Sequence, residues 1–146
     1  MKYTVTLDIK VPVSKLVSLF DNSENMHTWM EGLESVKHLD GKPGDVGAKS
    51  KMVFQMGKRR IEMVETITVK NLPDEFTATY HTPGVFNIVS NRFQAIDERT
   101  TRYITEQEFQ FQSFGMKLMG LIMPGAFKKQ SMSHMKSFKA FAEAQN

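Results

Sequence analysis

The sequence predicts an α+β domain: an antiparallel sheet of about seven strands, two short helices after the first strand, and one long C-terminal helix. Three observations carry this. Apolar and polar residues alternate in segment after segment between residues 34 and 111, the period of a strand with one buried face. Gly- and Pro-bearing turns separate those segments at hairpin distances. The chain then ends on an amphipathic helix. At ~100° per residue, Phe127, Ser131, His134, Met135, Phe138, Phe141 and Ala142 share one stripe, and Lys129, Lys136, Lys139 and Glu143 point away from it. A helix arriving after so much strand needs a sheet to lie on.

Taken in order, Tyr3, Val5, Leu7 and Ile9 alternate with polar residues and open the chain as a half-buried strand. Pro12 stops it, because proline has no amide to give a ladder, and Ser14 suits a helix N-cap ahead of Leu16, Val17, Leu19 and Phe20. A second short helical piece carries Met26, Trp29 and Met30. A strand over Glu34 to Leu39 is followed by the turn Gly41-Lys42-Pro43-Gly44-Asp45. Ser50, Met52, Phe54 and Met56 then share a face. Gly57-Lys58 turns the chain into Ile61, Met63, Ile67 and Val69, so this pair reads as a hairpin with a marked apolar side. Phe76, Ala78 and Tyr80 alternate in the next strand, Asn87, Val89, Asn91 and Phe93 in the one after, and Tyr103, Thr105, Gln107, Phe109 and Phe111 in the last. Pro124-Gly125 should kink or split the terminal helical region, because it removes an amide and adds a ring clash.

Composition narrows the function classes. The 146 residues suit a single domain, 1–146, and a hydrophobic content of 40% is enough for a core. A net charge of +3, from 19 Lys and Arg against 16 Asp and Glu, is slight. The one dense basic run, Lys58-Arg59-Arg60, falls at a hairpin turn without interleaved aromatics, so we expect no nucleic acid partner. The absence of cysteine removes disulfides, thiolate catalysis and thiolate metal sites. The four histidines have no metal-ligand spacing, and neither a P-loop nor a dinucleotide glycine fingerprint occurs, so we expect no metal and no cofactor. No stretch reaches the ~18 apolar residues of a membrane span, and the start lacks a secretory apolar run, so the expected location is cytoplasmic, without stable membrane insertion.

Two titratable residues stand out. Glu65 is in register with Ile61, Met63, Ile67 and Val69, so strict alternation aims its carboxylate at the helix, where an unpaired charge is costly and its pKa rises. It is a candidate general base or polar ligand anchor. The alternative is a bulge that turns it outward, or a partner such as Tyr80 or Arg92. His134, within the apolar stripe of the terminal helix, is a candidate hydrogen-bonding group or proton shuttle, the alternative being a packed histidine. The run Met116, Leu118, Met119, Leu121, Ile122 and Met123 is read first as core and second as a homodimer contact. A gate or a membrane-facing segment is a further reading.

The order of elements, with the phrases VPVSKLVSLF, NMHTWMEGLESV, GKPGDVGAKSKMVF, VETITVKNLP and FKAFAE, resembles the START-like superfamily of polyketide cyclases and dehydrases, also called SRPBCC, over essentially the whole chain. The resemblance implies a helix-grip fold, in which a curved antiparallel sheet wraps around the long C-terminal helix and leaves a hydrophobic cavity. It carries over no shared catalytic residue. The expected lining draws on Met52, Phe54, Met63, Tyr80, Asn87, Asn91 and Phe93 from the first strands. From the last strand and the helix it draws on Tyr103, Gln107, Phe109, Phe127, His134, Met135 and Phe138, with Trp29 as a ligand cap or a structural plug. A mostly apolar pocket with a few placed polar groups is the usual make-up of a small-molecule site. The leading reading is therefore binding or transport of a hydrophobic small molecule, such as a lipid, an acyl chain or a polyketide-like aromatic. The alternatives are a cyclase or dehydrase with Glu65 or His134 as acid/base, and a protein-interaction module.

Overall fold

The computed structural model describes residues 1–145, and all side chains among them except those of Met119, Gly120 and Pro124. Strand β1 (Lys2–Ile9) leads into α1 (Val13–Phe20), a 3-10 turn (Ser23–Asn25) and α2 (Met26–Trp29). Six strands follow: β2 (Leu33–Asp40), β3 (Lys49–Met56), β4 (Arg59–Asn71), β5 (Glu75–Thr82), β6 (Val85–Ala95) and β7 (Thr101–Phe111). Two helices, α3 (Phe114–Ile122) and α4 (Pro124–Ala144), end the chain. The strands form one antiparallel seven-stranded sheet in the order β1-β7-β6-β5-β4-β3-β2. The long middle strands are meander neighbours, as hairpin turns require, and β1 closes on β7.

Local chemistry sets the element boundaries. Helix α1 starts one residue before the expected cap: Pro12 occupies the N-cap position, and the Ser14 carbonyl instead accepts from the Ser18 hydroxyl at 3.1 Å. Gly32, with φ of +83°, turns the chain from α2 into β2, and a Cβ there would lie 2.6 Å from the Gln55 carbonyl oxygen, so the close approach of β2 and β3 depends on glycine. The break at Pro124 is complete, because this residue opens the first turn of α4, where a missing amide costs nothing.

Helix α4 packs on the β1 side of the concave face and against α2. Phe138 is 0% exposed and meets Trp29 (ring centroids 4.8 Å apart), Phe20 (5.7 Å) and Tyr103 (5.8 Å). Phe93 stacks on Tyr103, and Val5, Ile9, Leu16, Met135 and Ala142 complete this core. Polar contacts fix the helix along β1: the Tyr3 hydroxyl donates to the Phe127 carbonyl (3.1 Å) and lies 2.7 Å from Ser131 Oγ. At the other end Glu143 accepts from the Lys10 amide (2.8 Å), so this residue turns back to the sheet instead of pointing away.

A bulge between Ile67 and Val69 corrects one expectation. Val69 pairs with Thr77 on the convex side, and Lys70, opposite Phe76, takes the inward position and reaches Asp21 (3.3 Å) and the Gly44 carbonyl (2.8 Å). A second correction concerns α3. The run read first as core is exposed at Leu118, Leu121, Ile122 and Met123, and Met119 lies outside the described side chains. Because Phe138 fills the junction of α1, α2, α4 and the sheet, Phe138→Ala is expected to cost about 3–5 kcal/mol of unfolding free energy, whereas Lys136→Ala on the opposite face should stay within about 0.5 kcal/mol. Urea denaturation of the two variants checks this.

Candidate functional site

The register builds a row of inward side chains across five strands: Ser50, Glu65, Tyr80, Asn87 and Phe109, each directly opposite the next. Glu65 does face inward, because the bulge falls after it and leaves its alternation intact. Its partner is Tyr80, whose hydroxyl donates to Oε2 at 2.6 Å. Arg92 is on the convex face, bound to Glu106 at 3.1 Å. Asn87 Nδ2 donates to the Glu108 carbonyl (3.0 Å) and to Gln107 Oε1 (3.3 Å), and Gln107 Nε2 donates to Thr105 Oγ1 (3.4 Å). One polar band thus crosses an otherwise apolar wall.

Two properties of Glu65 and Tyr80 define where they lie. Both keep part of their surface accessible. Both are also closely surrounded by protein, so desolvation raises the Glu65 pKa against the lowering effect of the Tyr80 hydrogen bond, and pushes Tyr80 well above its ordinary value. Groups that water can touch but that are stripped of bulk solvent mark a half-enclosed stretch of the concave wall. Tyr80 uses only one carboxylate oxygen of Glu65. Glu65 Oε1 and Asn87 Oδ1 have no hydrogen-bond partner among the described residues, and neither is sealed from solvent, since the only buried unpaired side-chain polar atom described is Trp29 Nε1. Two acceptors, with the Ser50 hydroxyl beside Glu65, therefore remain unpaired on this stretch.

The expected lining residues divide into two groups. Met63, Tyr80, Asn87, Gln107, Phe109, Phe127 and His134 are half-buried and keep accessible surface. Trp29, Met52, Phe54, Asn91, Phe93, Tyr103, Met135 and Phe138 are buried. Tyr103 spends its hydroxyl on Asn91 Oδ1 (2.8 Å). Trp29 is packed between Phe20 and Phe138, with its indole N–H unpaired. His134 does not join Glu65: Gln130 Nε2 donates to its Nε2 at 3.1 Å, and burial lowers its pKa despite the nearby Glu31. The sequence reading left Phe111 out of the lining, although alternation had placed it beside Phe109. It stacks with Phe109 (6.0 Å) and meets Phe127 (5.7 Å), so the three rings form an aromatic end wall. Open depressions beside the β6–β7 turn, lined by Pro12, Val13, Ala95 and Ile96 or by Lys10, Asp97 and Arg99, lie at the opposite end of that hairpin and hold none of this row.

Residues 1–143 match the family model described as polyketide cyclase / dehydrase and lipid transport. The chain belongs to that family. Among solved structures, the cyclase/dehydrase-family chain is similar to the ZhuI aromatase/cyclase of Streptomyces sp. R1128, with a TM-score of 0.79 at 11% identity over 98% of this chain and 93% of that one. Norcoclaurine synthase of Thalictrum flavum, in complex with dopamine and hydroxybenzaldehyde, gives 0.76 at 10% identity, covering 100% and 88% of the two chains. A protein of Thermus thermophilus gives 0.77 at 12% identity over 100% and 99%. At these identities the likeness is one of fold, and it establishes the helix-grip architecture for this family member. No curated protein matches the chain.

The raised Glu65 pKa carries a stability consequence with a fixed sign. The native state holds this proton more tightly than the unfolded chain, so stability falls as pH rises from the ordinary carboxylate value to the raised native one, and it stays lower above that. Glu65→Gln keeps an acceptor for Tyr80 and removes the charge. The variant is expected to be more stable than wild type at neutral pH, with urea midpoints converging on acidification below the ordinary glutamate range. A variant less stable at pH 7 contradicts the assignment.

Proposed function

We propose that this family member binds a hydrophobic small molecule carrying a hydroxyl group in a recess between α4 and β3–β7. The observation that carries the proposal is the pair of unpaired acceptors, Glu65 Oε1 and Asn87 Oδ1, on an accessible, mostly apolar wall. Two neighbouring acceptors on that wall favour a ligand that brings a proton, and the Ser50 hydroxyl at the end of the row, which has no partner among the described residues, can donate to the same ligand oxygen. Met63 and the rings of Phe109, Phe111 and Phe127 supply the apolar contact, and methionine with phenylalanine suits aromatic and chain-like ligands alike. The family description includes lipid transport, and two structures of the same fold are an aromatase/cyclase and a synthase holding dopamine and hydroxybenzaldehyde, so an aromatic alcohol is the favoured class.

A second reading rests on the Glu65 carboxyl, which burial holds above its usual range. A carboxyl so placed takes a proton from a carbon beside a carbonyl and returns it to a departing oxygen, the two transfers that cyclisation with loss of water requires. In that case Glu65→Gln retains ligand affinity and loses turnover. His134, whose described hydrogen bond is with Gln130, is not hydrogen-bonded to Glu65, so this reading runs through the Glu65 carboxyl.

Binding of naphthol and of naphthalene, measured by fluorescence on wild type and on the Asn87→Leu and Glu65→Leu variants, separates the polar from the apolar contribution. Each substitution is expected to weaken naphthol about tenfold, the worth of one hydrogen bond to a charged or well-placed acceptor, while naphthalene changes little. Equal affinity for the two compounds in wild type contradicts the proposal.

A further inference from the structure

Helix α3 is turned inside out. At 100° per residue, Phe114, Leu118, Leu121 and Ile122 fall within an arc of about 100°, and this arc faces solvent: Phe114 is 81% exposed, Leu121 80% and Ile122 67%. Met116, on the opposite side of the helix, is the half-buried one. A soluble helix normally hides its apolar stripe, and a contiguous exposed one marks a surface that something covers.

Charge identifies what covers it. From Phe109 to Ala142 the sequence contains five lysines, Lys117, Lys128, Lys129, Lys136 and Lys139, and no Asp or Glu. Lys117 borders the apolar arc, and Lys128 and Lys129 follow in the first turns of α4, all three exposed. None of these three forms an ion pair among the described residues. Two copies of such a face would bring lysine against lysine, which disfavours self-association through it. An apolar ridge flanked along the chain by lysines and by no acid fits an anionic lipid surface, where the rings and aliphatic chains enter the headgroup boundary and the ammonium groups meet lipid phosphates and carboxylates. No helix among the described residues is long and apolar enough to cross a membrane, so the contact is one of lying on the surface.

We propose that α3, with the first turns of α4, docks this protein on anionic membranes. The docking face stands whatever the recess holds, since none of its residues belongs to the Glu65 row.

The test is flotation of the full chain with vesicles of phosphatidylcholine alone and of phosphatidylcholine with phosphatidylserine. Wild type is expected to float with the phosphatidylserine vesicles and not with the neutral ones, and to be released by high salt. Lys117→Gln and Lys128→Gln are each expected to weaken binding about fivefold. Phe114→Ser with Leu121→Ser should weaken it by roughly tenfold or more. All four positions are exposed, so thermal midpoints should stay at the wild-type value and report that the variants fold. Failure to float with either vesicle, equal flotation with both, or insensitivity to these substitutions overturns the proposal. Sedimentation in the absence of lipid that finds a dimer dissolved by Leu121→Ser also overturns it, because a second copy would then cover the face.

Discussion

Seven strands at ~4.8 Å spacing make a surface about 30 Å wide, and the one long helix laid across its concave side is ~10 Å in diameter. Helix α4 spends its most buried residues, Met135, Phe138 and Ala142, on the β1 side, where α1 and α2 also converge and the rings of Phe20, Trp29, Phe93 and Tyr103 pack together. Over β3, β4 and β5 the concave face is covered only in part: Met52, Phe54, Ile67 and Ala78 are buried, whereas Met63, Glu65 and Tyr80 keep accessible surface. A closed core on the β1 side and a half-buried polar row on β4 to β6 follow from the same mismatch in width.

That mismatch decides the chemistry of the polar row. In an open sheet Glu65 would be a solvated surface acid, and under a fully packed helix it would be an untenable buried charge. Half-buried on the concave wall, it is enclosed enough for desolvation to raise its pKa and open enough to keep one oxygen unpaired, while Tyr80 satisfies the other. Asn87, the next residue in the row, is tied down through its amide nitrogen and likewise presents oxygen. The row therefore offers two acceptor oxygens, Glu65 Oε1 and Asn87 Oδ1, with the Ser50 hydroxyl beside them as a group that can donate.

Period-2 alternation made most of this legible before any coordinates. The inward positions of β1, β5, β6 and β7 follow directly from Tyr3, Phe76, Asn87 and Tyr103 and their i+2 successors, and the inward aim of Glu65 follows from Ile61 and Met63. The bulge between Ile67 and Val69 was not legible, because an extra residue is set by the partner strand and leaves no mark on the local pattern. Glu65 escaped its effect by two positions; Val69 and Lys70 did not. Trp29, Phe93 and Tyr103 carry the composition of a ligand wall, and only the position of α4 shows that their surface is spent on Phe138 and on one another. The exposure of α3 was hidden for a related reason. A continuous apolar run reads as core, and whether the protein covers it depends on where Pro124 lets the chain turn, which is a tertiary matter.

The central claim is that Glu65 is desolvated yet reachable on the concave wall, with Tyr80 as its sole partner among the described residues. NMR titration of the Glu65 carboxyl carbon, in wild type and in Tyr80→Phe, tests it most directly. The midpoint should lie above the ordinary glutamate value in wild type and rise further in Tyr80→Phe, because that substitution removes the hydrogen bond favouring the ionised form. A midpoint at the ordinary value that Tyr80→Phe leaves unmoved would contradict the account, since it would place Glu65 in open solvent with no partner.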